Sequence, residues 1–495
     1  MHGMSLALVA PDAGPWPLHS AAASRAAEAA ALAATPPHAL MQRAGLAVAR
    51  LALAIAPHAQ RVCVLAGPGN NGGDGLVAAL HLHRAGRQVQ VLRIGGAARM
   101  PADAADALQC ARAAGVPIAD GTAAAARADL VIDALLGLGT QRAPEGEFAQ
   151  AIALAQAGGA PVLAVDLPSG LHPDTGQPLG DAVVHAQATL SLLTLKPGLF
   201  TGRGRDLAGA VWFDALGVDA PGATAELAGA PALAARHHAQ HKGSFGDVAV
   251  VGGAPGMAGA LRLAARAALA AGAGRVFASA LDDSAPLLDP AWPELMLRRQ
   301  WWTAAPAVLS ATTVACGCGG GDAVRAVLPP LLTHAARLVL DADALNALAA
   351  DSALQTLLVA RAARGRPTVL TPHPLEAARL LGSTTATVQG DRLASAQALA
   401  ARFGAVVVLK GSGSVVAVPG ALPSVNPTGN ALLATAGTGD VLAGWIAGLW
   451  AQGTSARTAA VEGTWWHGHE ADRALAAGRR HALRAAELVD AMRAG

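Results

Sequence analysis

The chain has 495 residues and a formal net charge of only +2, so it is too long for one ordinary hydrophobic core and reads as two domains. Its Lys and Arg residues form no run, which excludes the electrostatic footprint of a nucleic-acid or membrane-surface binder. Hydrophobic residues make up 53% of the chain, but many are Ala, and uncharged stretches such as 412–439 are broken by Gly, Pro, Ser and Asn, so no window reads as a lipid-spanning helix. Small molecules are the expected partners, and the apolar composition points to a homo-oligomer.

In chain order, residues 18–34 read as an Ala-rich helix bearing Arg25 and Glu28, unlike the basic and Leu-rich regions of an export signal. Cys63, Cys110, Cys316 and Cys318 are scattered without a disulfide framework or a second pair to complete a zinc site, so reduced thiols and a cytoplasmic location are expected. Short β-type runs follow at 61–66, 88–94, 130–134, 162–165 and 189–193, and a second series at 247–252, 274–280, 313–317, 338–342, 368–370 and 405–409. Helical spacing separates them, which predicts two successive α/β domains with buried parallel strands. Residues 219–240, rich in Ala, Pro and Gly and without a strand period, mark the boundary. Ligands are then expected outside the carboxyl ends of the strands.

Three strand ends in the first series carry polar chemistry. Residues 61–66 lead into Gly67-Pro-Gly-Asn-Asn-Gly-Gly-Asp-Gly75, whose spacing is not the dinucleotide fingerprint Gly-x-Gly-x-x-Gly. Val131-Ile-Asp-Ala-Leu-Leu-Gly-Leu-Gly-Thr140 and Val165-Asp-Leu-Pro-Ser-Gly-Leu171 end two more strands. Asn71, Asp133 and Ser169 are hard oxygen donors suited to a cation, and Asp166 follows a buried strand, where a carboxylate needs a partner or a task. Any one of these loops alone reads as an Asx-turn or helix cap; three in register read as a site.

In the second series, Thr435-Ala-Gly-Thr-Gly-Asp-Val-Leu-Ala-Gly444 places two glycines and Asp440 where an apolar helix begins. Successive backbone N–H groups and the helix dipole there suit a phosphate, and Asp440 in the first turn is placed to take a proton from a hydroxyl attacking it.

Together these motifs resemble the bifunctional NAD(P)H-hydrate repair enzymes, an N-terminal epimerase fused to a C-terminal ADP-dependent dehydratase. The first three loops match the epimerase part. The rest match the dehydratase part: His241-Lys-Gly-x-x-Gly246, Gly256-Met-Ala-Gly-Ala260, Gly317–Gly321, Asp341-Ala-Asp-Ala-Leu-Asn346, Leu370-Thr-Pro-His-Pro-Leu-Glu376, Lys410-Gly-Ser-Gly-Ser414 and Ala436-Gly-Thr-Gly-Asp440. The resemblance implies a Rossmann-like three-layer α/β/α epimerase domain at 1–222, a linker at 223–240 and a ribokinase-like α/β dehydratase domain at 241–495. It implies repair of hydrated NADH and NADPH: interconversion of the R and S epimers, then dehydration of the S form with conversion of ADP to AMP and phosphate.

By the same resemblance Asn70, Asn71, Gly72, Gly73 and Asp74, with Gly137, Leu138, Gly139, Thr140, Gln141, Arg142 and Ala143, hold the hydrated nucleotide in the first domain. Asp166 contacts it and moves the proton, and Asn71, Asp133 and Ser169 bind K+. In the second domain Lys410, Gly411, Ser412, Gly413 and Ser414, with Gly439, hold ADP, while Ala260, Gly319 and His373 line the hydrated nicotinamide pocket. Asp440 is the catalytic base that also contacts substrate, and Mg2+ is expected for the phosphoryl transfer, with no residue marking itself as its ligand. The chain departs from the family at Cys318, where a proline is expected, and at Ser414, where Thr is expected. It has no tyrosine, so stacking on the bases falls to other side chains. Trp292, Trp301 and Trp302 suit a lid or core packing, and His467, His469 and Glu470 suit helix packing rather than zinc.

Two other readings remain open on the residues alone. A ribokinase-type kinase of a vitamin-precursor alcohol would use the same anion hole, and the N-terminal half would then be a nucleotide-binding module. Alternatively, that half is a non-catalytic module tethered to an active dehydratase.

Overall fold

The computed structural model describes residues 6–96, 100–123, 127–232 and 235–492. The chain separates into two compact units, Met1–Leu227 and Ala228–Gly495.

In the first unit a sheet runs in the order Ala7–Leu8, Ala210–Asp214, Ala188–Leu192, Val162–Val165, Leu130–Ala134, Arg61–Ala66, Gln88–Arg93 and Ile118–Asp120. All neighbours are parallel except the edge strand Ala7–Leu8. Alternate residues of Arg61–Ala66 feed two cores: Val62, Val64 and Ala66 pack with the helices Ala39–Ile55 and Asn70–Arg84, while Cys63 and Leu65 pack with Glu147–Ala157. That alternation makes the three-layer α/β/α arrangement. The chain leaves Arg61–Ala66 for Gln88–Arg93 on one side and returns to Leu130–Ala134 on the other, so the order reverses there and opens a crevice at the carboxyl ends.

In the second unit strands run in the order Met296–Leu297, Arg275–Ala280, Asp247–Gly252, Thr313–Cys316, Arg337–Leu340, Thr368–Leu370, Val406–Leu409, Val415–Ala417 and Ser424–Val425, parallel as far as Val406–Leu409 and antiparallel beyond. Ala249 and Val251 face one helical layer, Val248 and Val250 the other. The helices Ala258–Ala270 and Thr438–Ala451 of the second layer touch backbone to backbone: a Cβ on Gly444 would lie 2.0 Å from the Ala264 carbonyl oxygen, and one on Gly448 2.5 Å from that of Ala268.

Every strand expected from the two series is present, with ends displaced by no more than two residues. Residues 219–240 differ from expectation, since Ala225–Leu227 is a strand, paired antiparallel with Trp16–Leu18. Three residues are too few to show a period, and the partner lies about two hundred residues away in sequence. Residues 233 and 234 of the expected linker, like the outermost residues of the two expected domains, lie outside the described residues. The Gly-rich segment after Arg61–Ala66 also differs from a loop: Asn70–Arg84 is helical. Its glycines permit contact rather than a turn, a Cβ on Gly73 falling 2.6 Å from Met41 Cε and one on Gly75 2.5 Å from Ala134 Cβ.

Trp301 is core, its amide donating to Ser279 Oγ, and Trp292 lies under the Arg266 guanidinium. His467 Nε2 lies 2.8 Å from the Thr438 carbonyl, His469 stacks on Trp465, and Glu470 pairs with Arg473, so these three serve packing. All four cysteines are free thiols. Among the described residues no helix is long and apolar enough to cross a membrane.

Candidate functional sites at the strand carboxyl ends

The crevice of the first unit is a cleft of ≈ 490 Å³ lined by Asn70, Asn71, Asp74, Gly137, Leu138, Gly139, Thr140 and Asp166, with Arg25, Glu28 and Met41. The three strand ends singled out in the sequence therefore meet at one cavity. Gly72 and Gly73 are buried behind it in the helix, and Gln141 and Arg142 are exposed outside its lining. Ala143 packs where a Cβ on Gly180 would stand, 2.6 Å away.

Asp166 has a left-handed backbone, φ 68°, unusual for a residue other than glycine and of the kind held in place at functional sites. Its amide donates to the Leu190 carbonyl, and its Oδ1 accepts from the Leu192 amide and from the ammonium of buried Lys196. Lys196 also donates to the Leu192 carbonyl at 2.9 Å. No sequence signal separates Lys196 from an ordinary surface lysine. Asp74, across the cleft, is held well above the usual carboxylate range by burial and by the charges of Asp166, Glu28 and Asp103. The cleft thus holds one carboxylate with a cation and one carboxyl that prefers its proton.

Asp133 is fully buried and accepts from Ser169 N at 2.8 Å, Ser169 Oγ at 2.7 Å and Leu135 N at 3.2 Å, while Ser169 Oγ accepts from Leu136 N. Burial outweighs these bonds and pushes the Asp133 carboxyl up to about 6. Asn71 lies against the Gly137 turn, and its amide nitrogen has no partner. A buried carboxylate compensated only by neutral dipoles, with a hydroxyl beside it, fits a weakly hydrated monovalent cation.

In the second unit the reversal lies between Asp247–Gly252 and Thr313–Cys316, and successive strand ends deliver Cys318, Asp341, Thr371, His373 and Lys410. Lys410 Nζ donates to Asp341 Oδ1 at 2.7 Å, which also accepts from Thr371 Oγ1. Burial opposes the ammonium charge, but Asp341 and Glu376 outweigh it and hold Lys410 above its ordinary value. The glycine turn before Asp440 closes over this pair, since a Cβ on Gly439 would lie 3.2 Å from Lys410 Nζ and 3.8 Å from Asp341 Oδ2. Gly437, φ 89°, caps the helix Thr438–Ala451, and Asp440 sits in its first turn.

Burial, then the charge of Asp341, raises the Asp440 carboxyl to about 6, against the lowering effect of the Cys318 thiol that hydrogen-bonds it and of Lys410. Oxygens of Asp341 and Asp440 and the sulfur of Cys318 all lie within 4.8 Å of one another. The oxygens fit Mg2+ and the thiol does not, so a magnesium ion here would rely on carboxylate and phosphate oxygens. Ala260 and Gly319 touch, a Cβ on Gly319 lying 2.9 Å from Ala260 Cβ. His373 caps the helix Pro374–Leu381 with Nδ1, and its Nε2 lies 3.2 Å from Glu376 Oε1. Burial raises Glu376 to about 7. In the loop 410–414, Ser414 Oγ accepts from Gly411 N and donates to Gly411 O, closing the turn.

Residues 248–493 match the family model for NAD(P)H-hydrate dehydratase, and residues 37–198 match that for the YjeF-related protein N-terminus. The bifunctional NAD(P)H-hydrate repair enzyme Nnr of Escherichia coli (strain K12) is 39% identical over 447 residues, covering 88% of this chain and 84% of the relative. Nnr of Coxiella burnetii is 36% identical, covering 92% and 94%. The ADP-dependent (S)-NAD(P)H-hydrate dehydratase of Neisseria meningitidis serogroup B is 48% identical over 242 residues, 48% of this chain and 80% of its own. Among solved structures, the ADP/ATP-dependent NAD(P)H-hydrate dehydratase of Bacillus subtilis co-crystallised with ATP/Mg2+ is 32% identical, covering 52% of this chain and 92% of its own with a TM-score of 0.46. With both family models in order along one polypeptide and end-to-end relatives at this identity, the chain belongs to the bifunctional NAD(P)H-hydrate repair enzymes.

Proposed function

We propose that the chain repairs hydrated NADH and NADPH, epimerising the R and S forms in residues 1–222 and dehydrating the S form at the expense of ADP in residues 241–495, with 223–240 between them. The observation that carries this reading is the coverage of bifunctional repair enzymes from end to end, 88% of this chain against 84% of the E. coli protein. A vitamin-precursor kinase is not favoured, because the N-terminal match has no place in it.

In the first site Asp74 is the proton donor and Asp166, paired with Lys196, the acceptor. Asp74 gives its proton to the hydroxyl of the hydrated ring; the C–O bond breaks with its electrons on the departing water, and the ring-nitrogen lone pair forms the C=N bond. Water then adds to the opposite face, the π electrons return to nitrogen, and Asp166 takes the proton. Exchange with solvent restores both carboxyls. Asn70, Asn71, Gly137, Leu138, Gly139 and Thr140 hold the nucleotide around this axis. Asn71, Asp133 and Ser169 would hold potassium, which would supply a positive charge among the loops of three strands.

In the second site Asp440 removes the proton from the S-form hydroxyl, whose oxygen attacks the β-phosphorus of ADP and releases AMP. Phosphate is a better leaving group than hydroxide, so the C–O bond then breaks, and loss of a proton from the adjacent carbon restores the dihydropyridine. Lys410, the 410–414 loop and Gly439 bind ADP, and Ala260, Gly319 and His373 border the nicotinamide. Asp341 would help to hold magnesium, which would supply charge neutralisation at the phosphates. The enzyme works in the cytoplasm on free nucleotides, as a homo-oligomer.

The test is incubation with both hydrated NADH epimers, ADP, K+ and Mg2+, following the reduced-nicotinamide absorbance. Recovery of both epimers is expected. Recovery of the S form alone removes the epimerase assignment, and phosphorylation of a pyrimidine alcohol in place of any recovery restores the kinase reading.

A further inference from the structure

At the strand ends of the second site the positive charge is already paired. Its lysine, Lys410, is spent on Asp341, and Glu376 and Asp440 stand beside that pair. ADP brings more negative charge than one divalent ion cancels, so a further cation is needed close to the phosphates.

Behind the 410–414 loop lies Arg392, the first residue of the helix Arg392–Phe403 and only 1% exposed. Its Nη1 donates to Gln389 Oε1 at 2.6 Å, and its Nη2 to the carbonyls of Leu409 at 3.1 Å and Gly413 at 3.5 Å. All these acceptors are neutral, and Nε has no partner. The guanidinium lies against the loop itself. Gly411, φ 144°, admits it only because it has no side chain: a Cβ there would fall 2.8, 2.9 and 3.0 Å from Nη1, Nη2 and Cζ. Burial draws the Arg392 pKa down to about 10, which leaves it charged at neutral pH, and among the described residues no carboxylate offsets that charge.

Arg361 is the instructive contrast. Equally buried, it spends its guanidinium on Thr368 Oγ1 and on carbonyls of four residues, Leu332, Ala335, Ala336 and Pro367, the pattern of a structural arginine. Arg392 has fewer acceptors and lies against the backbone of the 410–414 loop. A buried charge without a counter-ion is costly, and an anion on the far side of one layer of backbone relieves that cost across a low-dielectric path.

We propose that Arg392 is a positioning residue for ADP, fixing the shape of the 410–414 loop from behind and supplying through it the counter-charge for the phosphates. This rests on the assignment of that loop to ADP. The test is calorimetric titration of ADP, thermal unfolding with and without ADP, and steady-state kinetics on wild type, Arg392→Gln and Arg392→Lys.

Arg392→Gln is expected to raise the Kd for ADP about 10-fold, equivalent to about 1.4 kcal/mol. Its KM for the S-form nucleotide stays unchanged, and its Tm without ADP equals or exceeds that of wild type, because the uncompensated charge is gone. Arg392→Lys, which keeps the charge, recovers most of the affinity. A Gln variant that binds ADP normally, or that fails to fold without it, overturns the proposal, as does a Lys variant as impaired as Gln. A wild-type protein that binds no ADP overturns the loop assignment as well, whereas normal binding by both variants removes the role of Arg392 alone.

Discussion

The ammonium of Lys196 is buried against Oδ1 of Asp166 in the wall of the N-terminal cleft, and the same oxygen accepts from the Leu192 amide. Thirty residues of chain separate the two, and both lie outside the motif glycines. Replacing Lys196 by Met leaves a buried carboxylate without its counter-ion, a change that costs about 3–5 kcal/mol in comparable pairs. Lys196→Met is expected to abolish R-epimer conversion and to lower the Tm of the N-terminal transition, with dehydration of the S form retained. R-epimer recovery at the wild-type rate removes the pair from the mechanism.

In the role proposed for it, Asp74 works as an acid only while it keeps its proton. Its pKa is raised above the unfolded value, so epimerisation is expected to fall as pH rises through the folded pKa, and the stability that the protonated form contributes is lost in the same direction. Asp74→Asn is isosteric and neutral, so it leaves the fold intact while slowing epimerisation by about 10²–10⁴-fold. The charged groups facing Asp74, namely Asp166, Glu28 and Asp103, are unchanged by it. Stopped assays of epimer ratio across pH check both statements.

As the proposed base, Asp440 has the opposite requirement, because a base must be ionised. With its carboxyl raised to about 6, ADP-dependent recovery of the S form is expected to decline as pH falls through 6 and to reach a plateau above 7. Asp440→Asn removes the base and should lower kcat by at least about 10²-fold with epimerisation untouched. A pH-independent rate between 5 and 8 is incompatible with the role given to Asp440.

The Cys318 thiol hydrogen-bonds the Asp440 carboxyl and lowers its pKa. In Cys318→Ala that effect is lost, so the acidic limb of the dehydratase profile is expected to move upward from 6 while the KM for ADP stays the same. An unmoved limb shows that the thiol does not tune the base.

Much of the architecture and the choice of strand ends was legible before any coordinates. Buried parallel strands are continuous apolar runs, and the polar residues that interrupt them at Asp133, Asp166 and Asp341 are conspicuous for that reason. What escaped the sequence depended on partners distant in the chain. The strand Ala225–Leu227 is too short to show a period and exists through Trp16–Leu18. The helix at Asn70 was hidden by glycines, which read as a loop although they serve helix–strand contact. Lys196 and Arg392 carry no motif, and their burial follows from the loops that fold over them. Gln141 and Arg142 fall within a matching segment but outside the cleft lining, since a linear match gives every residue of a loop equal weight while only its inward side meets the cavity.

The backbone contact between Thr438–Ala451 and Ala258–Ala270 sets how far from Asp440 the dehydratase site is vulnerable. Gly444 and Gly448 admit no side chain against the carbonyls of Ala264 and Ala268, so one methyl group added one or two turns from the carboxylate must push the whole rigid rod outward. Because Asp440 rides on the end of that rod, the displacement is carried to the proposed base, where small misplacements are expensive. The two glycines act as the fulcrum of a lever, and an alanine there is expected to be a catalytic lesion written into a helix interface.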